Sequence, residues 1–342
     1  MKISSITKPK RIELKDLSGK TLAIDAHNAL YQFLSRIRGL DGAPLKDRKG
    51  RITSHLSGLI YRTANLVEAG IKPAYIFDGK PSILKIKEVE RRKNAKKLAK
   101  VKYKKALREG RVEEAKMYAQ ATSQLEKHMI ESANHLLNLL GIPCVQAPSE
   151  GEAQAAYMAQ KNDVWAAASQ DYDSLLFGAP KLLRNLSITG KRKLPRKKIY
   201  IEVKPELLEL NEVLEELQIT RKQLVDIAIL IGTDFNPDGV KGIGPKTALR
   251  LVKKHGSLEE TIANIGKADF PTNFKEIEKI FLEPEVTDAY NLRWRFPDNQ
   301  GVLEFLCEEH NFSSDRVQNA LEKLNAGFRE SEMKTTLEQW LQ

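Results

Sequence analysis

The feature that most constrains this chain is a series of four short apolar segments, each followed closely by acidic residues. The segments have the length and composition of β-strands and lie at Thr21–Ile24, Ala74–Phe77, Pro143–Val145 and Trp165–Ser169. Helical patterns separate them, at Ala26–Ile37, Ser54–Ala69, Thr122–Leu140 and Gly151–Gln160. Strands that alternate with helices predict an α/β fold, in which a mostly parallel sheet carries helices on both faces.

The acidic residues fall where such a sheet would bring them together. In chain order, those that follow the four segments are Asp25, Asp78, Glu150 with Glu152, and Asp171 with Asp173. The carboxyl ends of parallel strands lie along one edge, where ligands bind in open α/β folds, so we expect these side chains to meet. Asp234, in a later loop between helices, is a candidate seventh member.

A cluster of this kind is unfavourable unless cations neutralise it, because crowded carboxylates raise one another's pKa. The donors are hard oxygens, which favours Mg²⁺ or Mn²⁺ over Zn²⁺. Two such ions ~3.5–4 Å apart can activate a water and stabilise the leaving oxygen of a phosphoryl displacement. We expect His27 to be a helix residue near this site and not a ligand.

Other interpretations of the same acids remain open. An acid at a strand end can be a helix N-cap or a turn residue. A phosphatase or a kinase could also use acids in these places. The chain has no GxxxxGK[ST] motif, so a nucleoside-triphosphate site is unsupported.

The charge distribution indicates a polyanionic partner. The formal net charge is +11, which suits a membrane surface or a nucleic acid. Between Lys80 and Arg111 there are fourteen Lys or Arg residues against three Glu, and Lys181–Lys198 holds eight basic residues and no acid. Ile83–Leu107 reads as one long charged helix, inserted between two strands and too polar to be core. A solvated helix face is the alternative.

A second basic motif lies between two predicted helices, Arg221–Ile231 and Pro245–His255. The loop that joins them, Gly232–Gly244, ends in Val240-Lys241-Gly242-Ile243-Gly244-Pro245-Lys246. Gly242 and Gly244 would let the backbone approach a phosphate, and the first N–H groups of the next helix and Lys246 would bind it. The motif has no base-reading group, so it predicts sequence-independent contact; an ordinary turn is the alternative.

The motifs together resemble one family. They are Ile24–Ala26, Phe77–Pro81, Ala147–Ala156, Ser169–Gly178, Gly232–Asp234 and Gly242–Lys246. In this combination they are similar to the XPG-type structure-specific nucleases, and closest to the archaeal flap endonucleases. The resemblance covers nearly the whole chain. It implies a PIN-like nuclease body, a helical arch through which a 5′ flap passes, and a helix–two-turn–helix element that binds duplex DNA.

The resemblance also implies a role for particular residues. Two Mg²⁺ ions would be held by Asp78, Glu150, Glu152, Asp171, Asp173 and Asp234, with Asp25 acting largely through water. Lys85 and Arg92 would contact the scissile phosphate, Tyr31 would stack on a base beside the cut, and Lys80 would add a DNA contact. The carbonyls of Val240 and Ile243 would hold a K⁺ ion.

The implied activity is hydrolysis of DNA near a single-strand/double-strand junction, which leaves a 5′-phosphate, together with 5′-3′ exonuclease activity. Its setting would be Okazaki fragment maturation and base excision repair. The alternatives are a PIN-type ribonuclease and a junction-binding scaffold without catalysis.

The end of the chain resembles the family's sliding-clamp-binding motif, with Leu337, Trp340 and Leu341 as anchors. Lys334 stands where the usual glutamine would be, and Leu341 replaces a second aromatic. Lys2 replaces the family's glycine after the initiator Met. We expect a PCNA-type clamp as a partner, and a monomer.

We divide the chain into five regions. They are a nuclease region at 1–98, an arch at 80–130, a second nuclease region at 116–258 with the helix–two-turn–helix at 220–257, a helical region at 259–330, and a tail at 331–342. No apolar run is long enough to span a bilayer, and the start of the chain lacks a signal peptide. Two distant cysteines fit a reducing compartment. We therefore expect an intracellular protein, cytoplasmic and associated with the nucleoid.

Overall fold

The computed structural model describes residues 2–39, 42–188, 190–193, 200–265 and 273–340. The strands in these ranges are β1 Lys10–Arg11, β2 Thr21–Asp25, β3 Lys72–Phe77, β4 Cys144–Gln146, β5 Ala166–Ala168, β6 Lys181–Arg184, β7 Gly190–Lys193, β8 Tyr200–Val203 and β9 Glu206–Glu209. The α-helices are α1 Ala26–Arg36, α2 Ser54–Glu68, α3 Ile86–Arg108, α4 Val112–Ala121, α5 Lys127–Leu139, α6 Gly151–Gln160, α7 Asp173–Leu176, α8 Leu210–Leu217, α9 Arg221–Ile231, α10 Pro245–His255, α11 Leu258–Ile265, α12 Phe274–Leu282, α13 Asn299–Leu303 and α14 Ser314–Trp340.

Seven strands form one sheet, in the order β1-β9-β6-β5-β2-β3-β4. The four predicted strands are β5, β2, β3 and β4; they are neighbours, and each pair is parallel. In register, Ile24 lies opposite Tyr75 on one side and Ala168 on the other. The prediction of a mostly parallel sheet with helices on both faces is confirmed.

Alternation along the central strands explains the layers. Ala23 and Ile76 point into one buried cluster, which contains α6, α7, α9, α10 and α12. Leu22, Ile24 and Tyr75 point to the opposite face, where α1, α2, α5 and α14 pack. Successive side chains of a strand face opposite sides, so a central strand covered on both faces is apolar throughout.

Three strands on the far side of β5, namely β6, β9 and β1, were not predicted from the sequence. β6 is parallel to β5, β9 is antiparallel to β6, and β1 is antiparallel to β9. β6 and β9 each contribute only two leucines between charged residues, too short an apolar run to be recognised as a strand. Part of the basic Lys181–Lys198 stretch is therefore strand β6, and another part is β7, which pairs with β8 as a separate hairpin.

Two pairs of helices, α3 with α4 and α9 with α10, carry or flank further predicted site residues. The predicted charged helix is α3, which packs against α4 after a turn at Gly110, where φ is +67°. The helices predicted on either side of the glycine loop are α9 and α10, with the predicted bounds. No helix in the described ranges is long and apolar enough to cross a membrane.

Candidate active site

The central strands deliver the predicted acids to one edge of the sheet. β2 ends at Asp25, which also caps α1, and Asp78 directly follows β3. Glu150 immediately precedes α6, after β4, and Asp173 begins α7 after β5. The four strands are parallel and adjacent, so their carboxyl ends face the same side of the molecule.

A close backbone contact joins two of these strand ends. The Gly79 N–H donates to the carbonyl of Ser149 at 2.6 Å, and the Lys80 N–H donates to the carbonyl of Pro148 at 3.1 Å. A Cβ atom at Gly79 would lie 2.2 Å from the Ala147 carbonyl oxygen, so only glycine fits. The contact holds the segment after β3 against the loop before α6, and Asp78 Oδ1 accepts the Gly151 N–H at 2.8 Å.

Hydrogen bonds also hold Asp25, at the end of β2, and Glu152, in the first turn of α6. Asp25 Oδ1 accepts the backbone N–H of Asn28 at 3.0 Å, and its Oδ2 accepts from Ser169 Oγ at 3.4 Å. Glu152 accepts from Ser174 Oγ at 3.2 Å. The two serines lie within the motif that resembles the nuclease family, but their residue type alone did not mark them as partners of the acids.

Burial and mutual repulsion act together on these carboxylates. Burial, and then the charge of Asp78, raise the pKa of Asp25 to about 8. Burial, and then Asp171 and Asp234, raise the pKa of Asp173 to about 7. These causes link acids from different strands, and the acidic cluster comprises Asp25, Asp78, Glu150, Glu152, Asp171, Asp173 and Asp234.

The two glutamates behave in the same way. The pKa of Glu152 lies well above its ordinary value because the side chain is buried and Asp173 and Asp171 are near. Burial also raises the pKa of Glu150, although the Lys85 ammonium opposes that shift. The seven predicted acids therefore lie close enough together for their charges to affect one another's pKa.

Two cations from the start of the inserted helix reach this cluster. Lys85 forms a short ion pair with Glu150, and its Nζ lies 3.8 Å from Asp234 Oδ2. Arg92 Nη2 lies 2.9 Å from each carboxylate oxygen of Asp234. Burial alone would lower the pKa of the Lys85 ammonium, but Glu150 and Asp234 raise it above its usual value. The two arch residues named from the resemblance therefore lie against the acids.

The donor set fits a hard divalent cation. Within the described ranges, no three Asp, Glu, His or Cys side chains form a ready-made cage. Mg²⁺ does not need one, because it keeps several waters and usually takes only one or two carboxylates directly. Buried acids that repel one another would be stabilised by such an ion. His27 Nδ1 accepts the Asp78 N–H at 3.2 Å, so this nitrogen is occupied by the backbone.

Other predicted DNA contacts lie at the surface. Tyr31 on α1 is 38% exposed, and the Lys96 ammonium lies 5.5 Å from the centre of its ring. Lys80 is exposed beside Asp78. These positions allow contact with a ligand that approaches the acidic edge from the side of the inserted helix.

The glycine loop has the open geometry that a backbone contact requires. Gly242 has φ +85°, and no atom lies within 4 Å of a Cβ built at Gly242 or at Gly244. α10 begins at Pro245, immediately after this opening, and Lys246 follows in its first turn. The Ile243 N–H donates to the Val240 carbonyl at 3.0 Å, which shapes the turn.

Some residues that shape the site had no sequence signal. Arg184, at the end of β6, donates from Nε to the Gln170 carbonyl at 3.1 Å and from Nη1 to the Tyr172 hydroxyl at 2.9 Å. It therefore holds the loop that carries Asp171 and Asp173. Arg184 lay in a stretch interpreted as basic surface, and only the pairing of β6 with β5 places it there.

The predicted clamp anchors lie at the end of α14 and just beyond it. The backbone of α14 is helical up to Trp340. The side chains of Leu337 and Trp340, and the whole of Leu341, lie outside the described residues.

The chain is similar to known nucleases over nearly its full length. The XPG N-terminal domain matches residues 2–99 and the XPG I-region matches residues 141–234. Flap endonuclease 1 of Pyrococcus furiosus is 57% identical over 338 residues, which cover 99% of this chain and 98% of that protein. Flap endonuclease 1 of Ignicoccus hospitalis is 59% identical over 321 residues, 94% of this chain and 91% of the relative.

Solved structures agree with this similarity. Flap endonuclease-1 from Methanococcus jannaschii superimposes with a TM-score of 0.76 at 46% identity, over 96% of this chain and 99% of that one. The catalytic core of Rad2, at 24% identity and a TM-score of 0.65, shares the fold. The chain belongs to the flap endonuclease 1 family of XPG-type, PIN-like nucleases.

Proposed function

We propose that the acidic cluster is the catalytic centre of this flap endonuclease, and that it hydrolyses a DNA phosphodiester near the base of a 5′ flap. The observation that carries the proposal is the contact between Arg92 and Asp234 beside buried carboxylates of raised pKa. This contact supports the proposal because a guanidinium, a group that binds phosphate well, lies next to carboxylates that divalent cations would stabilise.

The acids divide into ligands and a supporting residue. Two Mg²⁺ ions, which Mn²⁺ can replace, would be held by Asp78, Glu150, Glu152, Asp171, Asp173 and Asp234. Asp25, whose carboxylate accepts hydrogen bonds from Asn28 and Ser169, would act through water, as the family resemblance implies. When bound, such ions supply an activated water and charge stabilisation for the leaving oxygen.

The arch cations would bind the scissile phosphate. In this structure both pair with acids, and the Arg92 side chain is 57% exposed, so it can turn towards a ligand. Lys85 is more enclosed, between Glu150 and the ring of Phe235, 5.1 Å from its Nζ. A fixed ammonium at this place stabilises negative charge that develops on the phosphate.

Sequence-independent contacts would hold the duplex and the junction. The open turn at Gly242 and Gly244, with Lys246, suits one phosphate of the duplex. A K⁺ ion between the carbonyls of Val240 and Ile243 would strengthen that contact. Tyr31, exposed and close to Lys96, would stack on a base at the junction, and Lys80 would bind the adjacent backbone.

A PCNA-type sliding clamp would bind the last residues of the chain. Leu337, Trp340 and Leu341 would fill an apolar pocket on the clamp. This assignment rests on the similarity of Lys334–Leu341 to a clamp-binding motif.

Replacing Asp173 with Ala tests the catalytic assignment. We expect the single-turnover rate on a 5′-labelled double-flap DNA in Mg²⁺ to fall by at least ~10³-fold, because a buried ligand is lost. DNA affinity should change by less than ~3-fold. Asp315→Ala, an exposed acid in the first turn of α14, is the matched control.

The same assay separates the alternatives. Cleavage of an equivalent RNA but not of the DNA would favour a PIN-type ribonuclease. Binding of the flap without cleavage by the wild-type protein would favour a scaffold. Unchanged cutting by Asp173→Ala would contradict the proposed centre.

The raised carboxylate pKa values predict an unusual pH profile for the metal-free protein. Between pH 6.5 and 8 the folded state still binds protons at Asp25 and Asp173, whose pKa values are about 8 and about 7, whereas the unfolded state has lost them. The free energy of unfolding should therefore fall as pH rises through this window, by ~1–2 kcal/mol. Below pH 6.5, buried His55 has the opposite effect. Its pKa is about 3 in the folded protein, so its contribution to the free energy of unfolding rises with pH.

Chemical denaturation in chelator at several pH values measures this slope. Asp25→Asn should flatten it, because the amide does not titrate. Mg²⁺ binds the ionised carboxylates, so it should raise the melting temperature more at pH 8 than at pH 6.5. A profile in chelator that is flat in the wild-type protein would contradict the assignment.

Replacing Arg92 with Ala tests the arch. We expect a ~10–100-fold slower single-turnover rate at saturating enzyme, with DNA affinity within ~3-fold, because the guanidinium acts on charge in the transition state. Arg329→Ala, on the exposed face of α14, is the control. A rate equal to that of the wild type would reject this role.

Removing residues 334–342 tests the tail. Cutting of free flap DNA should stay within ~2-fold of wild type, because no member of the acidic cluster and no arch residue is removed. Stimulation by the sliding clamp should be lost, since the apolar anchors are gone. Trp340→Ala should give most of this loss, and equal stimulation with and without the tail would refute the assignment.

A further inference from the structure

Helix α1 carries two polar side chains, Asn28 and Gln32, one above the other on the same side of the helix. Gln32 is only 8% exposed, one helical turn after Asn28. An apolar residue at such a position would stabilise the fold more, because burial of an amide is costly unless its hydrogen bonds are made. The partners of these two amides therefore indicate what they do.

The amides form a chain of hydrogen bonds that ends at the acidic cluster. Ser187 Oγ donates to Gln32 Oε1 at 3.1 Å, and Gln32 Nε2 donates to Asn28 Oδ1 at 2.6 Å. Asn28 Nδ2 then donates to Asp171 Oδ2 at 3.1 Å. An ionised carboxylate can only accept, so the direction of the whole chain is set from that end.

Asn28 is the one member of this chain that contacts two of the acids. Its backbone N–H donates to Asp25 Oδ1 at 3.0 Å, as any residue at this place in the first turn could do. Its side-chain amide adds the contact to Asp171, which helix capping does not require. Asn28 thus bridges an acid of β2 and an acid of the loop after β5.

Packing alone does not hold this amide in place, because Asn28 is only half-buried. A narrow crevice lies beside it, lined among others by Asn28, Gln170 and Arg62. A half-buried side chain keeps one rotamer only if its hydrogen bonds fix it. Gln32 supplies the bond that prevents the Asn28 amide from turning away from Asp171.

We propose that Asn28 is a positioning residue that sets the separation of Asp25 and Asp171, and that Gln32 and Ser187 hold its amide in the orientation that does so. The proposal rests on the proposed role of these acids in metal binding. Residues that orient metal ligands change metal affinity or activity by ~10–100-fold when removed.

The test is a Mg²⁺ titration of single-turnover flap cleavage by Asn28→Leu in the full chain. Leucine keeps the branched shape and the number of side-chain heavy atoms, and it removes the donor. We expect the Mg²⁺ concentration for half-maximal rate to rise ~10–100-fold, with DNA affinity in chelator within ~3-fold. Asn138→Leu, an exposed Asn of α5 bonded within its own helix, is the matched control and should titrate as wild type.

Gln32→Leu tests the chain of hydrogen bonds. This variant keeps Asn28 but removes the hydrogen bond that orients its amide, so the Mg²⁺ concentration for half-maximal rate should rise by a smaller factor, ~3–10-fold. In the Asn28→Leu background it should add nothing, since Gln32 acts only through Asn28. This variant also carries the test if Asn28→Leu does not fold.

Three results would overturn the inference. They are a wild-type Mg²⁺ midpoint in Asn28→Leu, a wild-type midpoint in Gln32→Leu, and full additivity of the two changes. Asp173→Ala run in parallel separates this failure from failure of the metal site. If Asp173→Ala is inactive while Asn28→Leu titrates normally, only the positioning role is lost.

Discussion

The structure depends on an unfavourable interaction, the crowding of carboxylates, some of them buried, at one edge of a sheet. Burial raises the pKa of Asp25 and Asp173 before any neighbour is considered, and the other acids add to the shift. A fold that only had to be stable would not place these charges together. Lys85, Arg92, peptide N–H groups and bound protons offset the negative charge of the carboxylates in this structure. These partners can be exchanged, which suits a site that binds metal ions and a phosphate.

The geometry that imposes this crowding comes from constraints on the backbone. Parallel pairing of β5, β2, β3 and β4 puts four strand ends on one side. The contact of Gly79 with the Ser149 carbonyl then closes the distance between the segments that carry Asp78 and Glu150. Asp25, Asp78 and Glu152 also accept hydrogen bonds from neighbouring groups, so these carboxylates are oriented before a ligand arrives, which reduces the reorganisation that binding requires.

The central part of this arrangement was predictable, because an apolar run followed by an acid is a local pattern. The central strands are covered on both faces, so Leu22, Ala23 and Ile24 are apolar without alternation and stand out in the sequence. Strands β6 and β9 do not stand out, since each has only two leucines between charged residues. Their position is decided by pairing with distant segments, which no local pattern encodes.

The same distinction separates the acids from the residues that hold them. A carboxylate after a strand has a chemical signature, whereas Asn28, Gln32 and Arg184 are ordinary polar residues whose roles depend on which atoms fold against them. Arg184 reaches the loop of Asp171 only because β6 lies next to β5. Asn28 was part of a predicted helix, but the period of that helix does not reveal that its amide would face Asp171 from across the sheet edge.

Asp234 shows how recognition and chemistry are connected in this fold. It lies in the loop between α9 and α10, which also carries the open glycine turn, and it accepts ion pairs from Arg92 and Lys85 at the start of the inserted helix. One short loop therefore contacts the acidic cluster, the arch and the surface suited to duplex DNA. A duplex bound at the glycine turn and a phosphate bound by Arg92 would act on the same segment. To bind a phosphate, Arg92 would have to leave Asp234, and Asp234 would then be free to bind a divalent ion. Binding of the phosphate and binding of the ion would therefore favour each other. Assembly of the proposed site would then depend on a correctly placed DNA junction.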